Sequence, residues 1–470
     1  MLAIATFGIP IVGSFLTLAV DRFSARARNL LAVLIVLATL VCALALLPHA
    51  GSAQPVTFGS LPVPGLTLSF VADGLGVYVA VASSFVGLLI LLYSLGYMKE
   101  YEHQGEYYFL VVLFLGAMMG LVLSANLLVL YVFWEITAIC SWRLIGFHRK
   151  WEHLRNADAA LLITAFGSFF MLAGIEMIWH EAGTLDLAAL RGHAVGNLAM
   201  AFLFLGILAK SAQVPLQVWL PAAGVAPSTV TALLHAAVLV VIGVFAFARV
   251  LVGAVGLPPV WQTVALVVAV ATILVTGAAA LVEYDAKRIL AYSTIAQLAY
   301  ILLGLAGLTS MSVAGALVFL LAHSLAKAGL FLCIGIVEHQ THTKDIRQLG
   351  GLIRQMPVTA VSFILCALTI IGFPPTAGFY GKFMIVLGVL EGGHTAYAVL
   401  AVVGALLTLM YMLRLFTQVF LGEERWPSSA EGTPIMLAVV AAFAGVSIIA
   451  GLAGTPLLSL ANSIAAQMLR

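Results

Sequence analysis

The sequence predicts an all-α integral membrane protein with about 14 transmembrane helices, and three observations carry that expectation. Apolar residues fill 63% of the 470 positions and charged residues only 9%, against about 25% charged in a soluble domain. Mean hydropathy is +1.14, too high for a globule that must present a polar shell to water. Fourteen spans of about 20 residues would occupy roughly 280 residues, close to the apolar total. A net charge of +2 supplies no basic patch for nucleic acid.

The apolar runs follow one another with short polar or Gly/Pro joints between them. The first, at about 2–20, has Asp21 as its first ionisable residue; it reads as a retained helix rather than a cleaved signal, which needs a basic start. The second covers 29–48. The stretch 49–73, carrying Pro55, Pro62 and Pro64, is expected to fold over one membrane face. Runs at 74–97, 107–124, 126–146 and 158–179 follow, with Glu135 inside the fifth. The seventh, 196–222, contains Lys210, Pro215 and Pro221; the eighth, 228–252, contains His235. Runs nine to eleven lie at 258–282, 288–309 and 311–336, the last holding His323 and Lys327. The twelfth, 356–390, carries Pro374, Pro375 and Lys382, and 394–420 and 433–460 complete the set.

No Pro/Ser linker or charge block divides the chain, so residues 1–470 are expected to form one polytopic membrane domain. Cys42, Cys140, Cys333 and Cys366 each sit in an apolar run, and none belongs to a CxxC pair. No disulfide framework, iron–sulfur cluster or zinc site is expected. The histidines at 103, 148, 153, 339 and 342 lack the converging spacing of metal ligands, and no glycine pair forms a phosphate cradle. No cofactor and no metal are therefore assigned to this chain.

Loop charge gives the orientation, because Lys and Arg are retained in the cytoplasm. With the N-terminus outside, the inside joints hold 15 of the 21 basic residues and the outside joints hold only Arg191, Arg249 and Arg470. Both termini are then expected on the non-cytoplasmic side of the cell's inner (plasma) membrane.

The three basic residues left over, Lys210, Lys327 and Lys382, lie inside spans, as does Glu135. A charge at the centre of a lone helix costs about 2.5–3.5 kcal/mol on insertion scales, so such groups normally face protein or water and mark a path. Two spans are also broken by proline, which removes a backbone donor and clashes with the preceding turn. The breaks lie five helices apart, an odd number, so a repeated five-helix unit enters the membrane from opposite faces. Interrupted spans at matching places of two inverted halves point to a transport path. The expected organisation is helices 1–3 in residues 1–106, helices 4–8 in 107–252, helices 9–13 in 258–420, and helix 14 in 433–460, with helices 7 and 12 broken.

Each candidate has a bland reading as packing or as a fixed ion pair. Glu135 is read as a proton carrier whose affinity an approaching lysine sets. Lys210 is followed by Gln213 and Gln217 at i+3 and i+7, which places them on one helical face as a polar stripe able to hold water beside the ammonium. His323 and Lys327 share one helical face, and His235 adds a second imidazole, the group whose charge changes between acid and neutral pH. Together they suit a water-bridged proton wire.

The residues that carry chemistry also spell out a resemblance. Trp134-Glu135-Ile-Thr, Pro215-Leu-Gln-Val-Trp-Leu-Pro221, Ser228-Thr-Val-Thr-Ala-Leu-Leu-His235, Asp285-Ala-Lys-Arg-Ile-Leu-Ala-Tyr-Ser-Thr294, His323-Ser-Leu-Ala-Lys327 and Gly372-Phe-Pro-Pro375 occur in this order. The set, over about residues 70–425, resembles the antiporter-like subunits of respiratory complex I. The same superfamily includes the large subunits of multi-subunit sodium/proton antiporters and of membrane-bound energy-converting hydrogenases. The resemblance implies a coupling pair at Glu135 and Lys210, a central relay at Lys327, an outer-exit lysine at Lys382, and His235 and His323 as stations between. It implies a proton-translocating subunit of an NADH-quinone-oxidoreductase-like complex. The alternatives are a subunit of a cation (sodium)/proton antiporter and the membrane subunit of a hydrogenase or other soluble module. Partners are then other membrane subunits, the lipid bilayer and the moving ions. Ala222 and Ala223 stand where many relatives place an acidic residue, Val241 where some place Lys or Thr, and the stretch from Leu161 to Phe166 resembles the antiporter and hydrogenase branches.

Overall fold

In the computed structural model, which describes residues 1–50, 56–60, 67–427 and 429–470, the chain is an all-α membrane protein with one small hairpin. Pro55, Pro62 and Pro64 fall outside the described residues. The helices are α1 (Leu2–Asp21), α2 (Ala25–Leu46), α3 (Gly74–Tyr97), α4 (Gln104–Val122), α5 (Leu127–Ile145) and α6 (Trp151–Ala182). Next come α7 (Asn197–Lys210), α8 (Trp219–Ala222), α9 (Ser228–Ala236), α10 (Leu239–Ala246), α11 (Pro259–Val282) and α12 (Ala286–Ala306). The rest are α13 (Ser310–Thr341), α14 (Pro357–Ile371), α15 (Ala377–Glu391), α16 (Thr395–Phe420), α17 (Pro434–Leu452) and α18 (Gly454–Met468). Strands β1 (Val56–Ser60) and β2 (Thr67–Phe70) pair antiparallel within the stretch expected to be surface-lying.

Twelve segments of the described chain are long and apolar enough to cross a membrane, α9 and α10 counting together as one. The expected fourteen exceeds these twelve by the two proline-broken runs, whose leading halves are the shorter apolar helices α7 and α14. The last run differs from its expected 433–460: the helix stops at Leu452 and α18 starts at Gly454. Pro456 is the reason, since it has no N–H for the Leu452 carbonyl and its ring crowds that oxygen.

Helix starts follow capping chemistry. Ser24, Asp73, Asn126, Asp285, Thr309 and Thr376 each accept a bond from a first-turn amide of the helix that follows. In the interior, α9, α10 and the π-helical turn Phe247–Val252 are wholly buried, with α12 and α13 almost so. The outer helices carry large exposed apolar side chains such as Leu162, Phe169, Val260 and Leu406, the surface a lipid-facing helix presents.

Polar contacts sort the joints into two ends of the bundle. One end gathers Arg28 with Asp21 and Gln104, Arg149 with Glu106 (2.8 Å), Lys344 with Asp285 (2.9 Å) and Lys287 with Glu338 (2.6 Å). The other gathers Arg249 with Asp73, Trp261 with Asn197 and Gln262 with His394. The grouping follows the charge partition of these joints. Arg249 is not a joint residue, however: it lies in the buried π turn and pairs with Asp73.

Candidate functional site

The titratable residues of the spans are placed by two helix breaks and by α9, α12 and α13. The first break opens earlier than the proline itself. Helix α7 ends at Lys210, because Pro215 lacks an amide and its ring excludes the helical position of the Ser211 carbonyl. Residues 211–218 are therefore irregular, and the i+3/i+7 stripe of Gln213 and Gln217 does not form. Gln213 instead donates to the Ser211 carbonyl at 2.8 Å, and the Oε1 atoms of both glutamines are buried without a partner. Pro221 sits buried within the short helix α8, and the Trp219 indole donates to the Ala209 carbonyl at 3.0 Å.

Lys210 is 1% exposed. Its ammonium donates to the Trp134 carbonyl at 3.2 Å and stands 5.1 Å from the centre of the Trp134 ring. Glu135 follows Trp134 directly, and its Oε1 is buried without a hydrogen-bond partner. The two residues expected to couple are thus neighbours through Trp134, not a contact ion pair. Among the described residues, no carboxylate lies within 4.0 Å of Lys210, Lys327 or Lys382.

Near the centre, His235 and His323 are fully buried. His323 Nε2 lies 3.2 Å from the His235 carbonyl, a carbonyl freed because the helix breaks between α9 and α10. The Ala237 carbonyl, also freed, accepts from Ser83 at 2.7 Å. Both ring nitrogens of His235 and Nδ1 of His323 have no protein partner, and the His235 ring lies on Phe331 at 4.6 Å. Buried polar atoms of this kind are normally met by ordered water. One turn beyond His323, Lys327 is also fully buried, and its ammonium donates to the Leu290 carbonyl on α12 at 3.1 Å.

The second break separates α14 from α15, and the exposed Pro374 and Pro375 lie within it. Lys382 reaches back to the end of α14, donating to the Ile370 carbonyl at 2.8 Å. A lysine there satisfies an orphan carbonyl and meets the negative end of the helix dipole. Its ammonium also stands 4.6 Å from the Tyr300 ring centre and 5.2 Å from that of Phe319. Lys210, as the last residue of α7, occupies the same kind of helix end.

Two sets of residues escaped the sequence reading. On α12, Leu290, Ser293, Gln297 and Tyr300 recur at helical spacing and run from the Lys327 contact to the Lys382 contact. Tyr411 on α16 ties this stripe together: its hydroxyl donates to Ser293 Oγ at 2.9 Å and accepts from Gln297 at 3.1 Å. Gln297 Oε1 is buried and unpartnered. The spacing was visible, but hydroxyls and an amide in an apolar helix read as packing until the two lysines bracket them. The second set is Lys287 with Glu338; Lys287, expected in a joint, is 2% exposed and ion-paired.

The bundle and its buried titratable line define an antiporter-like membrane subunit. The family described as NADH:quinone oxidoreductase/Mrp antiporter, TM, matches residues 124–408, and the N-terminus of NADH-ubiquinone oxidoreductase (complex I) chain 5 matches residues 61–108. The chain belongs to this NADH:quinone oxidoreductase/Mrp antiporter family. It is 32% identical over 439 residues to the Na(+)/H(+) antiporter subunit A1 of Staphylococcus haemolyticus, covering 85% of this chain and 54% of that one. With the same subunit of Staphylococcus saprophyticus it shares 33% over 428 residues, 83% of this chain and 53% of that one. The chain thus spans about half the length of these curated relatives. A chain of the Mrp complex from Dietzia sp. has the same fold, with a TM-score of 0.91, 24% identity, and coverage of 100% of this chain and 97% of that one. So does a chain of the membrane-bound sulfane sulfur reductase, an archaeal respiratory membrane complex: TM-score 0.91, 22% identity, 100% and 98% covered.

Proposed function

We propose that this chain is the ion-translocating membrane subunit of a multi-subunit cation/proton antiporter. Its path runs from Glu135 and Lys210 through His235, His323 and Lys327 to Lys382. Similarity to sodium/proton antiporter subunits favours this over the NADH-quinone-oxidoreductase reading expected first. The carrying observation is that three buried lysines each donate to a backbone carbonyl, two of them also standing over aromatic rings, and that among the described residues none has a carboxylate within 4.0 Å. A lysine kept only to neutralise a neighbouring acid would hold that acid in a contact ion pair. A buried lysine without one is suited to taking up and releasing a proton, which arginine scarcely does. Partners are other membrane subunits, and the reading needs no cofactor in this chain.

The support for two inverted five-helix halves is a constant spacing. Residues 127 and 286 start α5 and α12, 151 and 310 start α6 and α13, and 182 and 341 end the latter pair. Each pair is 159 apart, as are Pro215 and Pro374 (374 less 215). The bridge Asn126–Asp186 recurs at the same interval as Asp285–Asp345, one at each end of the bundle. By the same offset Lys327 corresponds to Ser168 and Glu135 to Thr294, so the charges are not repeated with the fold. The end rich in basic joints is read as cytoplasmic in the plasma membrane. The N-terminus, and the C-terminus, where Gln467 approaches Gly74, then lie at the opposite end.

The test is transport by the reconstituted complex carrying Glu135→Gln or Lys210→Ala. Both variants are expected to assemble and to lose most proton-coupled flux. Wild-type flux in both would make the pair structural.

A further inference from the structure

One polar chain lies apart from the axis and leads toward it. Tyr93 and Tyr97 close α3 and Tyr101 comes four residues beyond its end, with successive ring centres 5.6 and 5.5 Å apart. Tyr101 is partly exposed at the basic-rich end, where its ring meets His148 at 5.6 Å; Tyr97 is 2% exposed. The Tyr101 hydroxyl donates to the Tyr97 hydroxyl at 3.2 Å, which also accepts from the Ser228 amide at 3.4 Å. Ser228 Oγ donates to Glu338 Oε2 at 3.1 Å, and Lys287 holds the same oxygen at 2.6 Å. The packing is close: a Cβ on Gly335 would lie 2.6 Å from Ser228 Cβ and 3.2 Å from the Tyr93 hydroxyl.

Ser228 opens α9, and His235 sits seven residues on. Seven residues of helix rise about 10 Å and return to nearly the same face. At the far end of that interval both His235 ring nitrogens are buried with no protein partner. A polar chain that starts at the surface thus points along α9 at an imidazole still lacking its hydrogen bonds. Packing alone would be served by Phe at 97 and 101 and Ala at 228, which fill the same space without hydroxyls.

We propose that Tyr101, Tyr97, Ser228 and Glu338 form the proton port of the basic-rich end, delivering protons to His235 through ordered water along α9. Each hydroxyl accepts a proton on its oxygen as it gives up its own. Tyr101 passes its proton to the Tyr97 oxygen, Tyr97 passes its own to Ser228 Oγ, whose side chain also hydrogen-bonds it, and Ser228 passes its own to Glu338, so no tyrosine changes net charge. Glu338 receives the proton from Ser228 and yields it to water, while Lys287 balances the carboxylate between transfers. This rests on the axis reading above.

Tyr97→Phe and Tyr101→Phe test it, because each removes one oxygen and keeps the stacked ring. The readout is proton flux driven from the basic-rich end in vesicles holding the complete complex, with Lys327→Ala as reference and thermal stability as control. The port predicts wild-type assembly with flux reduced about tenfold in each variant; the loss is smaller than for a catalytic proton-transfer group because water stands in for a hydroxyl. Wild-type flux in both tyrosine variants while Lys327→Ala abolishes it would overturn the port and leave the axis standing. Wild-type flux in all three would overturn both.

Discussion

Replacing Lys382 by methionine separates a structural lysine from a translocating one. The substitution keeps the length of the side chain and its apolar stem but removes the charge and the donor. Lost are a charge-assisted bond to the Ile370 carbonyl, about 1.5–3 kcal/mol, and contacts with the Tyr300 and Phe319 rings, about 0.5–2 kcal/mol. Gained is relief from burying a cation at membrane depth, about 2.5–3.5 kcal/mol. Terms of opposite sign and similar size leave stability changed by no more than about 2.5 kcal/mol. The variant is therefore expected to assemble and melt near the wild type, while proton flux, followed with a pH-sensitive dye, falls about tenfold or more. Full flux in an assembled Lys382→Met complex would refute the exit role. A collapse in melting temperature would show that the lysine is an essential cap for α14.

Other expectations follow from packing, ionisation and the α12 stripe. Gly378→Ala would put a Cβ 1.7 Å from the Thr369 carbonyl oxygen, a backbone atom of α14, and should lower stability at or beyond the upper end of about 1–3 kcal/mol for overpacking. Gly445→Ala, with nothing within 4 Å, should be neutral or stabilising by about 0.5–1 kcal/mol; melting of both in detergent checks the contrast. Burial, and then the neighbouring His153, holds the His148 pKa down at about 4, against 6.5 ordinarily. The unfolded chain then binds the proton first, so this residue makes stability fall as pH drops from about 6.5 toward 4. His148→Gln should flatten that part of the melting-temperature profile, and an unchanged profile would remove His148 from the account. Gln297→Leu should slow proton flux and leave assembly intact; unaffected flux would return the stripe to simple packing.

Much of this molecule can be read from residue type alone. The spans follow from apolar runs, and Lys210, Lys327 and Lys382 announce themselves because charge is rare there. What the sequence hid is where a helix stops and what a side chain meets. The opening at Ser211 precedes Pro215 by four residues, so a helical face drawn through Gln213 and Gln217 fails although the proline was recognised. The break after Ala236 has no proline or glycine to mark it; it becomes intelligible only once Ser83 and His323 are seen taking the freed carbonyls. Lys287 looked like a loop cation because it sits beside Asp285 and Arg288, yet tertiary packing buries it on Glu338. The interval of 159 residues between paired helix ends is a pattern that composition does not reveal.

The central claim is that Lys327 takes up and releases a proton in the middle of the path. Proton flux of the reconstituted complex, measured for wild type, Lys327→Arg and Lys327→Ala at equal assembly, tests it most directly. Arginine keeps the charge and can reach a carbonyl such as that of Leu290, but scarcely deprotonates; alanine loses the site. A relay predicts that both substitutions abolish most of the flux. Full flux with arginine and none with alanine would make Lys327 a fixed countercharge and contradict the account.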